Sequence, residues 1–159
     1  MIKPVLPELD DLDRRILDQL QVNCALSNQE LAQRVHASPP TTLRRVRRLI
    51  DLGVIQKQVA ILNAERLGSS LTAIVEITLD VQTAEHLDRF EAFVNREPAI
   101  LQCYRVSPGP DFVLIAQVAD MPAYHEMAHR VFTSQANVRN VRSFFSVHRS
   151  KFETRSVLP

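Results

Sequence analysis

The chain has 159 residues, with 19 lysines and arginines against 18 aspartates and glutamates and a formal net charge of +1. So balanced a total names no charged partner, and electrostatic recognition has to come from how the charges are distributed. At 45% hydrophobic and 23% charged residues, the composition is that of a folded globular protein and excludes a disordered, collagen-like or fibrous chain. No apolar run approaches the ~18–20 residues of a membrane-spanning helix, and the opening Met1-Ile-Lys-Pro-Val-Leu lacks the apolar core of a signal peptide. The expectation is a cytoplasmic protein without a membrane partner. Cys24 and Cys103 lie far apart with no C-x-x-C spacing, so neither a disulfide framework nor a structural zinc site is expected. Both read as small buried hydrophobes.

The hydrophobic period changes along the chain, from helical before about residue 55 to alternating after about residue 70. Leu12, Ile16 and Leu20 recur at four-residue spacing behind the capping acids Asp10 and Asp11, which predicts a first helix, with Cys24 and Leu26 in the turn after it. Ser27-Asn-Gln-Glu30 is a capping box ahead of Leu31 and Val35 and starts a second helix. Ser38 caps a third helix with Pro39 at its first position, where a missing N–H costs little. Leu43, Val46, Leu49 and Ile50 form its apolar series until Gly53 stops it. Three helices with a tight second turn predict a helix-turn-helix over residues 1–57.

Residues 58–70 read as a linker with a candidate strand near Val59–Leu62. From Leu71, Ala73, Val75, Ile77, Leu79 and Val81 alternate with Glu76, Thr78 and Asp80, the pattern of a half-buried strand. Leu87, Phe90, Phe93 and Val94 then recur at helical spacing up to Pro98, and apolar runs 99–106 and 112–119 flank a turn at Ser107-Pro-Gly-Pro-Asp111. Asp120-Met-Pro122 opens a helix bearing Tyr124, Met127, Ala128, Val131 and Phe132, and Val141, Ser143, Phe145 and Val147 alternate as a last strand. The order βαββαβ predicts an α+β chain whose second domain, residues 71–159, is ferredoxin-like: a four-stranded antiparallel sheet with both helices on one face.

The third helix concentrates positive charge. Between Ser38 and Lys57, Arg44, Arg45, Arg47, Arg48 and Lys57 face the single acid Asp51. On a helical wheel with Leu43 at zero, Arg47, Arg44, Arg48 and Arg45 fall at about 40°, 100°, 140° and 200°, and Leu49, Val46 and Ile50 at about 240°, 300° and 340°. A duplex phosphate backbone attracts such a cationic face, and this is the position of a reading helix. Arg44, Arg45 and Arg48 are therefore the candidates for phosphate or base contact, with Ser38, Thr41 and Thr42 at the helix start near the groove and Lys57 beyond its end. Read without a nucleic acid, the same face is a solvated surface with Arg47 and Asp51 paired at i,i+4.

Asp13-Arg-Arg-Ile-Leu, Leu31-Ala-Gln-Arg-Val and Ser38-Pro-Pro-Thr-Thr-Leu-Arg-Arg-Val-Arg-Arg-Leu-Ile-Asp-Leu-Gly-Val-Ile55 together resemble the winged helix-turn-helix of the Lrp/AsnC transcriptional regulators. The βαββαβ half resembles their effector-sensing and oligomerisation domain. The resemblance covers nearly the whole chain. It implies a feast-or-famine regulator that binds double-stranded DNA, forms homodimers that assemble further into octamers, bends or wraps DNA and responds to an amino acid or related metabolite.

In this family the turn after the second sheet strand usually reads Thr-Gly-x-x-Asp-Tyr, and its backbone helps to hold the effector between subunits. Here the matching stretch is Ser107-Pro-Gly-Pro-Asp-Phe112, so the resemblance points to Ser107, Gly109 and Asp111, with Thr133 and Ser134 on the same subunit boundary. Asp111 would hold an effector ammonium. Pro108 and Pro110, however, remove two amide donors from the loop. Taken without the resemblance, Asp111 is a turn residue bonding nearby amides.

Two enzyme readings are weaker. His125-Glu-Met-Ala-His129 is a literal H-E-x-x-H, but no third zinc ligand follows at a usable spacing, so zinc catalysis is not expected. The alternative is a haem-pathway sirohaem decarboxylase of the same architecture, whose second strand Gln102-Cys-Tyr-Arg105 resembles. Those enzymes carry a Trp-Pro-Tyr-Asn-like stretch soon afterwards, whereas this chain has no tryptophan and reads Asp111-Phe-Val-Leu. No Ser/His/Asp set, Walker motif or dinucleotide glycine motif is present, so the expectation is a regulator, not an enzyme, with neither cofactor nor metal.

Overall fold

In the computed structural model, residues 7–68 and 71–158 are described. Residues 1–6 of the expected first domain, Ser69 and Ser70 of the expected linker, and Pro159 lie outside them. The chain divides into two compact units. One runs up to Ile61 and takes in the segment from Lys151 onward, and the other spans Leu62–Ser150.

The first unit is built from α1 (Asp11–Val22), α2 (Asn28–Arg34) and α3 (Pro39–Asp51). Each start follows from side-chain chemistry. Asp10 and Asp13 form a reciprocal capping box at α1, which leaves Asp11 inside the helix. Ser27 and Glu30 form the box read from the sequence at α2. Ser38 caps α3, with Pro39 at its first position. The tight turn from α2 to α3 carries His36 at φ 53, a left-handed residue, and is tied by the Asn28 amide donating to the Pro39 carbonyl at 2.9 Å. α3 ends in a Schellman motif: Gly53 N–H donates to Ile50 C=O and Val54 N–H to Leu49 C=O, with Gly53 at φ 70. Ile16, Leu17, Leu31, Val35 and Leu49 form the core, with Val46, Val54 and Leu158 packed against it.

Several expectations are corrected in this unit. Residues 56–63 carry no helix or strand, so the candidate strand near Val59–Leu62 is absent, and a 3₁₀ turn follows at Ala64–Leu67. Cys24 is exposed, and Cys103 in the second unit is only half-buried. On α3, Leu43 and Ile50 are exposed although the sequence placed them on the apolar face. The C-terminal segment, read with the second domain, packs on α1. The Arg155 guanidinium meets Asp18 at 2.9 Å, and Ser156 exchanges hydrogen bonds with the Gln21 amide.

The second unit is β1 (Leu71–Leu79), α4 (Ala84–Val94), β2 (Ile100–Arg105), β3 (Phe112–Val118), α5 (Met121–Ala128) continued by a π-turn at His129–Thr133, and β4 (Val138–Phe145). The strands order β2-β3-β1-β4, all neighbours antiparallel, which is the ferredoxin-like arrangement. Ala73, Val75, Ile77 and Leu79 of β1 pair beside Phe112, Leu114 and Ala116 of β3 and bury one sheet face under Phe90 and Val94 of α4, Tyr124 and Met127 of α5, and Val131 and Phe132. Val81 and Val147 lie beyond the strand ends and are exposed. β4 is an edge strand, so even its helix-facing Val141 and Phe145 keep contact with solvent.

Candidate nucleic-acid interface

The cations of α3 divide into two sets that the sequence alone did not separate. Arg45 reaches back to α1, its Nη1 lying 2.6 Å from Asp10 Oδ2 and 3.3 Å from Asp13 Oδ1. Arg48 Nη1 lies 2.8 Å from Asp13 Oδ2, and its Nη2 donates to the Glu8 carbonyl. Asp13 is 0% exposed, so its charge is held in the interior by two guanidiniums, the arrangement a buried carboxylate requires. The Asp13 amide and the Arg45 guanidinium hold the Asp10 carboxyl below the usual range, and the hydrogen bond that Arg45 donates to the Asp10 carboxylate pushes Arg45 up. Arg45 and Arg48, read from the sequence as DNA contacts, thus clamp α3 against α1.

Thr42 is corrected outright. It is 0% exposed, with its hydroxyl donating to the Ser38 carbonyl at 3.1 Å, so it presents no surface for a nucleic acid to contact. On the wheel it sits at about 260°, between Leu49 and Val46, so the arc that buries it was present in the spacing. Ser38 donates to the Thr41 hydroxyl at 2.8 Å while capping the helix, and remains exposed.

What stays on the outward face is Thr41, Leu43, Arg44 and Arg47, with Lys57 exposed after the helix. An open groove there is lined by Pro40, Leu43, Arg44, Arg47, Arg48 and Asp51. Among the described residues neither Arg44 nor Arg47 has an ion pair, and the Arg47–Asp51 pair expected for a solvated face is not formed. Arg47 is the residue the sequence reading left out of the candidates. Its signal was its wheel position, opposite the buried arc of Thr42 and Leu49.

In the second unit, the two loops expected to sense an effector meet at the end of β1. Asp111 Oδ2 accepts from the Leu79 N–H at 2.7 Å and from the Gln82 amide at 3.2 Å, while the Asp111 N–H donates to Ile77 C=O. Asn137, just past Thr133 and Ser134, exchanges hydrogen bonds with Val81. Asp111 is therefore a staple for β1, with Oδ1 without a hydrogen bond among the described residues. Ser107 and Gly109 are exposed in the same turn, Gly109 at φ 128, and Thr133 and Ser134 are exposed at the end of the π-turn. His125 and His129 are both exposed, and among the described residues no group of three His, Cys, Asp or Glu side chains is placed to hold a metal.

A helix-turn-helix with an outward cationic reading helix, joined to a ferredoxin-like sensor unit, defines a two-part DNA-binding regulator. Family models agree with both parts: residues 9–56 match a winged helix-turn-helix DNA-binding family, and residues 72–156 match the Lrp/AsnC ligand-binding domain. The leucine-responsive regulatory protein of Salmonella typhimurium is 36% identical over 95% of this chain and 92% of its own length. The DNA-binding transcriptional activator DecR of Escherichia coli is 35% identical over 92% of this chain and 96% of its own. Among solved structures, a transcriptional regulator from Neisseria meningitidis in complex with L-Met superposes with a TM-score of 0.84 at 31% identity, covering 92% of this chain and 95% of that one. An AsnC family regulator from Agrobacterium tumefaciens does so with a TM-score of 0.85 at 32% identity, covering 95% and 97%. The chain belongs to the Lrp/AsnC family of transcriptional regulators, and it is a DNA-binding regulator rather than an enzyme.

Proposed function

We propose that this regulator acts as a homodimer that sets two copies of α3 into successive major grooves, with Arg44, Arg47, Thr41 and Lys57 facing the duplex and Arg45 and Arg48 holding the helix in place. The observation that carries the reading is the division of the α3 arginines. Two are neutralised by Asp10 and Asp13, and two have no ion pair among the described residues and stand on the outward face. Dimerisation is supported by the open side of the sheet, where Ile74, Tyr104 and Phe144 are exposed and Val113 and Ile115 half-exposed, an apolar face that a second copy suits. Further assembly to an octamer is part of the same reading. The protein works in the cytoplasm, and its effector is an amino acid, as supported by the L-Met held in the Neisseria meningitidis relative. Asp111 Oδ1 would take the ammonium and the exposed Ser107, Gly109, Thr133 and Ser134 the surrounding boundary.

The test is a fluorescence-anisotropy titration of DNA from upstream of the protein's own gene against random duplex, at two salt concentrations and with each free amino acid. The expected result is tighter binding to the upstream fragment, steep salt dependence, and a ~5–150-fold affinity shift with one amino acid. Equal, weak binding to both duplexes would overturn the reading.

A further inference from the structure

The outward face of α3 is not uniformly polar. Leu43 is 40% exposed there, one residue before Arg44 and one turn before Arg47, with Pro40 beside it in the same groove. At the far end of this face stands Asp51, whose charge repels phosphates, while the helix start, with prolines at its first two positions and the Thr41 N–H capped by Ser38, carries the positive end of the dipole. The first turns of α3, from Pro40 to Arg44, are therefore the part that enters a groove, and Arg47 reaches the rim. Within those turns Leu43 can make no hydrogen bond to a phosphate or to a base edge. The apolar group that a base edge displays in the major groove is the C5-methyl of thymine.

We propose that Leu43, with Pro40 at its side, reads a thymine methyl in each half of the operator, flanked by the Arg44 and Arg47 guanidiniums. This rests on α3 being the helix in the groove.

The experiment first selects a preferred site from a random duplex library with the full chain. Each thymine of that site is then replaced singly by deoxyuridine, which removes only the methyl, and Kd is measured for wild type, Leu43→Ala, and Arg44→Ala with Arg47→Ala. At one thymine per half-site the replacement is expected to weaken wild type about fourfold, the transfer value of one methyl-sized group, and to have no effect on Leu43→Ala. Leu43→Gln keeps side-chain length and helix propensity and is expected to lose the same methyl sensitivity, so it carries the test should the alanine variant not fold. Wild-type binding indifferent to every replacement, or a penalty undiminished in the Leu43 variants, would overturn the assignment. If the double arginine variant binds the selected site as wild type does, α3 is not in the groove and the broader reading fails with it. If that variant loses binding while no methyl matters, only the role of Leu43 falls.

Discussion

Asp13 and Arg44 carry charges of similar visibility in the sequence and opposite fates in the fold. Asp13 is buried against two guanidiniums, whereas Arg44 faces solvent without an ion pair among the described residues. Their variants should separate cleanly. Arg44→Ala is expected to weaken binding to any duplex and to lower the slope of log K against log[salt] by about 0.9, one phosphate contact. Arg45→Ala should leave the slope unchanged while reducing unfolding free energy by about 1–3 kcal/mol, because the interior Asp13 loses one partner. Salt-dependent anisotropy and urea unfolding of the two variants check this, and a slope change in Arg45→Ala would return that residue to the interface. The wheel from the sequence ordered all four arginines correctly, but the angle at which α1 presents Asp10 and Asp13 lies outside any one-helix projection. That is why Arg45 and Arg48 read as contacts.

At the scale of elements, local chemistry was legible wherever it is written in consecutive residues. The Ser27/Glu30 box, the Ser38 cap and the Gly53 stop all act within a few positions, and each stands where the spacing put it. Gly53 permits a direct measurement. At φ 70 an alanine meets no neighbour but must adopt a left-handed backbone, so Gly53→Ala is expected to cost about 1 kcal/mol of stability in thermal unfolding. A neutral or stabilising change would show that the Schellman hydrogen bonds do not hold the end of α3. Less legible were elements whose burial depends on a neighbour. Val141 and Phe145 alternate as a half-buried strand should, yet β4 has only β1 beside it, and an edge strand is covered less than the period implies. The candidate strand at Val59–Leu62 had β-prone residues but no partner strand among the described residues, and residues 56–63 are irregular.

At the scale of the whole molecule, the open sheet face is the feature that one copy leaves unfinished. Ile74 on β1 pairs directly with Phe144 on β4 and with Ile115 on β3, which draws an apolar row across the sheet with the Glu76–Arg142 ion pair beside it. If the homodimer proposed above closes on this face, Phe144→Asp is expected to give a monomer in sedimentation equilibrium and to weaken operator binding about 100-fold or more, since two linked half-sites become independent. An unchanged molecular mass would place the subunit contact elsewhere.

The sequence by itself determined the order of elements, the caps of α2, α3 and α5, the two-part architecture and the family, because these depend on spacing along the chain and on residue types that act locally. Tertiary structure alone decided which arginines of α3 pair with Asp10 and Asp13, that Thr42 is buried, that Asp111 staples β1, and that the C-terminal segment returns to α1. Each of these is a contact between residues distant in sequence, and the energy of a buried charge or hydroxyl is set by the partner that reaches it rather than by its own neighbours in the chain.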